Sequence, residues 1–494
     1  MLKFLACLIL ATASGAATAQ GSDLPDFGSV ADSVITRSQE ARLGRSVVAQ
    51  LRNAGAVMDD PQLTEYIQSI GARLAGQASD GEQDFEFFIV EDQAINAFAL
   101  PGGYIGVNYG LLLASDSESE LAGVLAHEVA HVTQRHIARS IYDSQRSGML
   151  SIAAMLAAVL LSAATDIGGD ATAGLITAAQ GASAQRQVNF TRANEHEADR
   201  VGIETLSSAG FDPTGMSRFF EKLSRRYGSA RQQIPAILQS HPVTSVRIAE
   251  ARDRARQLPS VEVEDSPSYS IIKARLRVLQ APTSEGAYSI FSTRLQNGST
   301  EPADRYGLAL ALSRLRRDDE AERMFGEFVN ESPGVIPYRI GHGESLMRNG
   351  QIDAALDAFS EAISLFPRNV PLTISFAEAL IIAGEPEAAH ELLLDLLNNV
   401  PPTPEQIRLI ARAANAEGDV GNAHFYMAEY YVAIGSAPLA TNQLRMALES
   451  PNVNSVDRAR IEARLEQIRE YMPEDERRRQ RDTAGQQLTR TAPQ

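Results

Sequence analysis

Residues 121–136 read LAGVLAHEVAHVTQRH, and within them His127, Glu128 and His131 have the HExxH spacing. In a helix, positions i and i+4 share a face, so the two imidazoles can reach one metal ion while Glu128 stands beside it. Zinc is the ion expected, one per chain. A catalytic zinc takes three protein ligands and leaves a fourth position for water, whose proton an adjacent Glu128 can accept. Two histidines do not close such a site, so a third ligand must come from elsewhere.

The helix that carries the pair has a marked start. Ser115 and Ser117 each precede an acid by three residues, Glu118 and Glu120, which gives two registers of a capping box. Ala122, Ala126 and Ala130 make a smooth ridge at i+4 spacing, and Gly123, one turn before His127, is expected to leave room near the metal. The third ligand is sought in TRANEHEADRVG, residues 191–202, where Glu195 and Asp199 lie four apart on a second predicted helix ending near Gly210. Glu195 can complete the site, and Asp199 can accept the spare N–H of a ligating histidine and fix its tautomer. His196 and Glu197 are the rivals, projecting from other faces of that helix. His136, five residues beyond His131, falls off the metal face of a straight helix and reads as a packed or hydrogen-bonded residue.

Upstream, residues 34–51 and 62–75 have helical periodicity, and 84–92 (DFEFFIVED) is strand-like. In 95–113 the turn Pro101, Gly102, Gly103 joins two segments able to pair as a hairpin. Its edge can take an extended peptide by strand addition, or the hairpin is structural only. Residues 1–19, with Lys3, an apolar run and Ala17, Thr18, Ala19 before Gln20, read as a cleavable secretory signal. The one cysteine, Cys7, lies inside it in a context unsuited to lipidation. A formal charge of −17, one unit more negative without Lys3, argues against a nucleic-acid partner. The uncharged run 147–165, continued weakly polar to 184, is rich in Ala, Ser and Gly. It is expected to be a helical hairpin over the cleft with peripheral membrane contact rather than a span.

After a linker at 258–269 a 34-residue period emerges: Gly350, Gly384, Gly418; Ala321, Ala355, Ala389, Ala423; Pro333, Pro367, Pro401. This is a tetratricopeptide period, with Phe325 and Phe359 filling the larger slot between helices. Gly435, Ala440 and Ala447 restart the pattern after 17 residues, so about four repeats are expected between 301 and 454 with a half repeat inserted. The concave face of such a solenoid usually takes peptide or protein; a cap on the catalytic domain is the competing role. The tail after Tyr471 is polar.

HEVAH, NEHEAD and the later SHPVTSVRIAEAR (240–252) together resemble the periplasmic zinc metallopeptidases of the BepA type, relatives of the CaaX prenyl protease and HtpX families. The resemblance implies a mainly α protein, a zincin-like α+β metalloprotease domain with a small β-sheet followed by an α-solenoid of tetratricopeptide repeats. Its divisions would be signal 1–19, protease 20–257, linker 258–269, solenoid 270–455, and a C-terminal helix and polar tail 456–494. It implies His127, His131 and Glu195 as zinc ligands, Glu128 as base and Asp199 behind the ligands. INAFALPGGYIGV looks like the family's substrate edge, which makes Asn96, Ala97 and Phe98 substrate-binding candidates.

His241, held extended by Pro242, matches a family histidine that comes down over the metal. It is expected either to fill the fourth position as a latch, the favoured role, or to donate to the oxyanion, with Arg247 a further regulatory candidate. The function implied is endopeptidase quality control and chaperone-like assembly of outer-membrane β-barrel proteins in the periplasm. Expected partners are unfolded or misassembled clients and the β-barrel assembly machinery. The alternative is a non-proteolytic chaperone or adaptor with a latent or structural zinc site, against which the presence of Glu128 argues.

Overall fold

The structure is a computed structural model that describes residues 35–78, 84–144, 192–227, 235–259, 263–451 and 453–471. The expected signal at 1–19, the weakly polar stretch at 147–184 and the tail beyond Tyr471 lie outside the described residues. Among those described, no helix is long and apolar enough to cross a membrane.

Two helices come first, α1 (Arg37–Asn53) and α2 (Pro61–Ala75). α1 starts on a capping box between Thr36 and Gln39, and α2 on Asp60 followed by Pro61, whose missing N–H is harmless at a helix start. Strands β1 (Glu86–Val90), β2 (Ala97–Leu100) and β3 (Tyr104–Asn108) form one sheet in the order β1-β3-β2. β2 and β3 are antiparallel about the turn at Pro101, Gly102 and Gly103, as the sequence predicted, and β1 runs parallel to β3.

After α3 (Tyr109–Ala114), the HExxH helix is α4 (Glu118–Thr133). Of the two possible caps Ser117 is used, accepting from the Glu120 N–H. All of Glu118 to Val132 is buried. α4 lies between α2, β2 and two later helices, α6 (Arg192–Ser208) and α7 (Gly215–Tyr227), with α5 (His136–Ser144) continuing from its end. Gly123 has a different role from the one expected: a Cβ there would lie 2.7 Å from Met216 N and 2.8 Å from its Cα. The missing side chain makes room for the start of α7, not for a metal. Gly123→Ala is expected to cost about 1–3 kcal/mol through overpacking, seen as a lower denaturation midpoint at unchanged m-value. An unchanged midpoint would show that α7 gives way freely.

Two short elements complete this part, α8 (Ala236–Ser240) and α9 (Ser245–Gln257), the latter against α6 and α7. The segment expected as linker is shorter than 258–269, because Ser266 caps and Pro267 begins the next helix, α10 (Pro267–Leu279). Tyr269, Ile272 and Leu276 of α10 belong to the same hydrophobic core as α2, α4, α6 and α7. Arg275 adds an ion pair to Asp60, the cap of α2, with contacts of 2.7–3.1 Å.

From α10 on, helices alternate: α11 (Ser284–Gln296), α12 (Pro302–Arg314), α13 (Asp318–Glu331), α14 (Ile336–Arg348), α15 (Ile352–Leu365), α16 (Val370–Ala383), α17 (Pro386–Asn399), α18 (Pro404–Glu417), α19 (Val420–Ala433), α20 (Ala437–Glu449) and α21 (Ser455–Tyr471). The periodic Gly350, Gly384 and Gly418 all have left-handed φ, and Arg316 fills the same place one repeat earlier at φ 61°. The pattern therefore starts before Glu301: Phe291 lies over Gly307 as Phe325 lies over Gly341. No half repeat is inserted. α20 follows α18 at the usual spacing, and Gly435, which seemed to restart the period, instead closes the connection between α19 and α20. Its φ is +80°, and a Cβ would sit 2.3 Å from Ala49 Cβ, so only glycine lets that turn rest on α1.

That contact is one of several that join the solenoid to the part carrying the HExxH helix. Asn53 Nδ2 donates to Ile434 O at 2.7 Å, Tyr306 Oη to Gln62 at 3.4 Å, and α16 packs on α2. The chain's own α1 and α2 thus lie against the repeats.

Candidate metal centre

His127 and His131 project from α4, Glu195 from the first turn of α6, and His241 from the C-cap of α8; all four are buried. His127 Nε2 lies 3.0 Å from His131 Nε2, 3.4 Å from His241 Nδ1 and 3.6 Å from Glu195 Oε2. His131 Nε2 is 3.6 Å from Glu195 Oε1, and His241 Nδ1 is 3.0 Å from that same oxygen. An ion held tetrahedrally with bonds of 2.0–2.2 Å separates its ligand atoms by about 3.3–3.6 Å, so these spacings fit one cation with four donors. The donor chemistry, three imidazoles and a carboxylate, fits zinc.

The electrostatics follow from the same crowding. Burial alone would push the His127 pKa down, but Asp199 and Glu195 outweigh it and raise it to about 9. His131 is driven well below its usual value by burial, then by His127 and His241. Burial opposes ionisation of Glu195, yet His241 and His127 hold it far below the usual carboxylate range. Glu128 is pushed up by burial, with His241 and His127 opposing. Neither of its carboxylate oxygens makes a well-formed hydrogen bond among the described residues, and His241 Nε2 is 3.6 Å from Oε1.

Behind the cluster, Asp199 Oδ1 lies 3.0 Å from His127 Nδ1. Arg247 Nε and Nη2 donate to the two oxygens of Asp199, each at 2.7 Å, and its Nη1 reaches Glu195 at 2.8 Å and Pro242 O at 2.9 Å. Arg247, a regulatory candidate from the sequence, is thus a clamp on two carboxylates and on the segment that carries His241. The rivals to Glu195 point elsewhere: His196 meets Glu250 at 2.8 Å and Glu197 meets Arg139 at 2.9 Å. His136 Nδ1 lies 2.9 Å from His131 Nδ1. That contact is absent from an ideal helix and arises because the chain bends between α4 and α5.

On the sheet, the Asn108 N–H donates to Asn96 O at 3.0 Å. Antiparallel pairs alternate, so Phe98 and Leu100 also turn their backbone to β3, while Ala97 and Ala99 turn theirs away. Ile95, in the same phase, accepts from the Ile237 N–H of α8 at 3.3 Å, and the Ala99 N–H faces the Glu128 carboxylate. The Phe98 ring covers Gly106 and meets Phe88 edge to face. Of Asn96, Ala97 and Phe98, only Ala97 therefore offers outward backbone, and Ala99, unnoticed in the sequence, joins it. The two-residue period counted from the Pro101–Gly103 turn carried that signal.

A buried HExxH helix, a downstream glutamate and a sheet edge beside the base define a metallopeptidase. Peptidase family M48 matches residues 61–255, and a tetratricopeptide repeat family matches 346–413. The beta-barrel assembly-enhancing protease of Escherichia coli K12 is 38% identical over 64% of this chain and 64% of its own length. A Vibrio cholerae protein named "Putative beta-barrel assembly-enhancing protease" is 40% identical over 67% of this chain and 69% of its own. The mitochondrial metalloendopeptidase OMA1 of Schizosaccharomyces pombe is 29% identical over 42% of this chain and 56% of its own. The chain belongs to Peptidase family M48, within the group of beta-barrel assembly-enhancing proteases.

Proposed function

We propose that the protein is a zinc-dependent endopeptidase of the periplasm that cleaves unfolded or misassembled outer-membrane β-barrel proteins. Its repeats hold clients or the assembly machinery in a chaperone-like way. The observation that carries the catalytic reading is the buried Glu128 carboxylate, beside four converging donors and facing the Ala99 N–H. His127, His131 and Glu195 would hold a zinc ion, which when bound would supply Lewis acidity at the scissile carbonyl. Glu128 accepts the proton of the attacking water and returns it to the departing amine. Asp199 fixes the tautomer of His127, and Ala97 and Ala99 receive the substrate backbone as an added strand. The relatives' names supply the β-barrel clients, and a preference for unfolded barrel proteins over unfolded water-soluble ones tests it.

We read His241 as a latch that occupies the fourth position and holds the enzyme latent, supported by its burial and by Nδ1 lying 3.4 Å from His127 Nε2 and 3.0 Å from Glu195 Oε1. His241→Ala is expected to raise basal cleavage of an unfolded barrel protein several-fold at unchanged zinc content. Adding Glu128→Gln should abolish the gain. Lower turnover at equal zinc content would assign His241 to the oxyanion instead.

A further inference from the structure

We propose that His136 and Glu197 form a positioning relay for His131, matching on the second zinc histidine what Asp199 and Arg247 do for the first. The inference rests on the reading of His131 as a zinc ligand.

Residue i+5 of a straight helix lies about 140° around from residue i, so His136 should face away from His131. The chain prevents this at Arg135, the second of the two residues between α4 and α5, whose φ is +52°. That conformation is costly for an arginine, and it is held by burial: Arg135 is 8% exposed, and its Nη2 donates to Ile35 O at 2.8 Å and to Glu40 Oε2 at 3.0 Å. The bend swings His136 back until its Nδ1 is 2.9 Å from His131 Nδ1, with the rings tilted 76° and His136 wholly buried.

The proton assignment follows from the donors. With His131 Nε2 turned to the metal cluster, its Nδ1 carries the hydrogen and donates to His136 Nδ1. His136 then carries its own hydrogen on Nε2, which lies 3.2 Å from Glu197 Oε2, and Arg139 Nη1 donates to that same oxygen at 2.9 Å. The two zinc histidines are thus oriented differently. His127 leans on a buried carboxylate, Asp199, whereas His131 leans on a neutral imidazole that passes the interaction to Glu197, at the edge of solvent with its side chain 30% exposed. Outer partners of this kind are worth about 10–100-fold in metal affinity. The two residues that sequence reasoning set aside as ligands, His136 and Glu197, are the two that serve the ligand.

The test compares shapes that differ only in the acceptor. Asparagine places Oδ1 where histidine has Nδ1, and leucine places a methyl there. In the full-length protein stripped of metal and titrated with Zn2+ against a chelator, His136→Leu is expected to raise the zinc Kd about 10–100-fold. His136→Asn, which keeps the acceptor for His131 but not the link to Glu197, should bind zinc more tightly than His136→Leu and less tightly than wild type, and Glu197→Ala should weaken binding while Glu197→Gln restores it. Equal zinc affinities for His136→Leu and His136→Asn would overturn the relay. If the leucine variant does not fold, equal affinities for Glu197→Ala and Glu197→Gln overturn it alone. His131→Ala separates the two levels. Zinc binding as tight as wild type in that variant would remove the ligand reading itself, whereas its loss beside equal relay variants would remove only the relay.

Discussion

Replacing Glu128 by glutamine is expected to lower kcat/KM for peptide cleavage by about 10²–10⁴-fold, the usual contribution of a positioned general base, while the protein still binds one zinc per chain. The separation of the two effects is structural. Glu128 is fully buried and flanks the cluster, but the four donor atoms that converge belong to His127, His131, Glu195 and His241. Glutamine keeps the shape and removes the basic oxygen, so metal binding survives and proton transfer does not. Metal analysis and a discontinuous cleavage assay on the same sample check it. Equal cleavage by wild type and variant would refute the protease reading and favour an adaptor with a structural zinc.

The second large effect concerns where the catalytic part ends. If the linker marked a boundary, a chain stopping before Pro267 would keep every metal-site residue and fold alone. The core predicts otherwise. Such a chain loses Tyr269, Ile272 and Leu276, which are 3%, 3% and 0% exposed in the same core as the HExxH helix. At about 1.5–3 kcal/mol for each fully buried side chain, the loss is about 5–9 kcal/mol, against a typical total stability of about 5–15 kcal/mol. Ended at residue 265, such a chain also loses a contact at the start of α4, where Ser266 donates to the Glu118 carboxylate. A chain ending at residue 265 is expected to aggregate or melt without cooperativity and to retain no zinc. A sharp melt with bound zinc would show that α10 is dispensable.

These outcomes mark what the sequence disclosed. HExxH, the Glu195 and Asp199 pair, and the hairpin turn were legible because each is a local spacing imposed by one helix or one turn. The 34-residue period was legible for the same reason, through residues that must be small or left-handed. The half repeat was misread because Gly435 answers a tertiary demand, the approach of Ala49, while Arg316 hides a repeat position behind a residue that rarely adopts positive φ. The partner of Gly123 is a backbone 93 residues away, and no local pattern announces it. The contact of His136 with His131 depends on a bend secured by Glu40, far earlier in the chain, so helical periodicity alone pointed it the wrong way.

α1 touches both ends of this architecture. Near its C-terminal end, Ala49 and Asn53 seat the turn at Ile434 and Gly435 between the late repeats; near its N-terminal end, Glu40 secures the bend after the zinc helix. From Glu40 to Asn53 the helix makes a rod of about 20 Å between the two. Thermodynamic linkage then applies in both directions. A partner that binds the late repeats more tightly in one seating of that rod changes the free energy of the metal site by the same amount that occupancy of the metal site changes the partner's affinity. Affinity for a repeat-bound partner measured with the metal-free protein is therefore a different constant from that of the zinc-loaded one wherever the rod's seating differs, and their ratio gives the coupling directly.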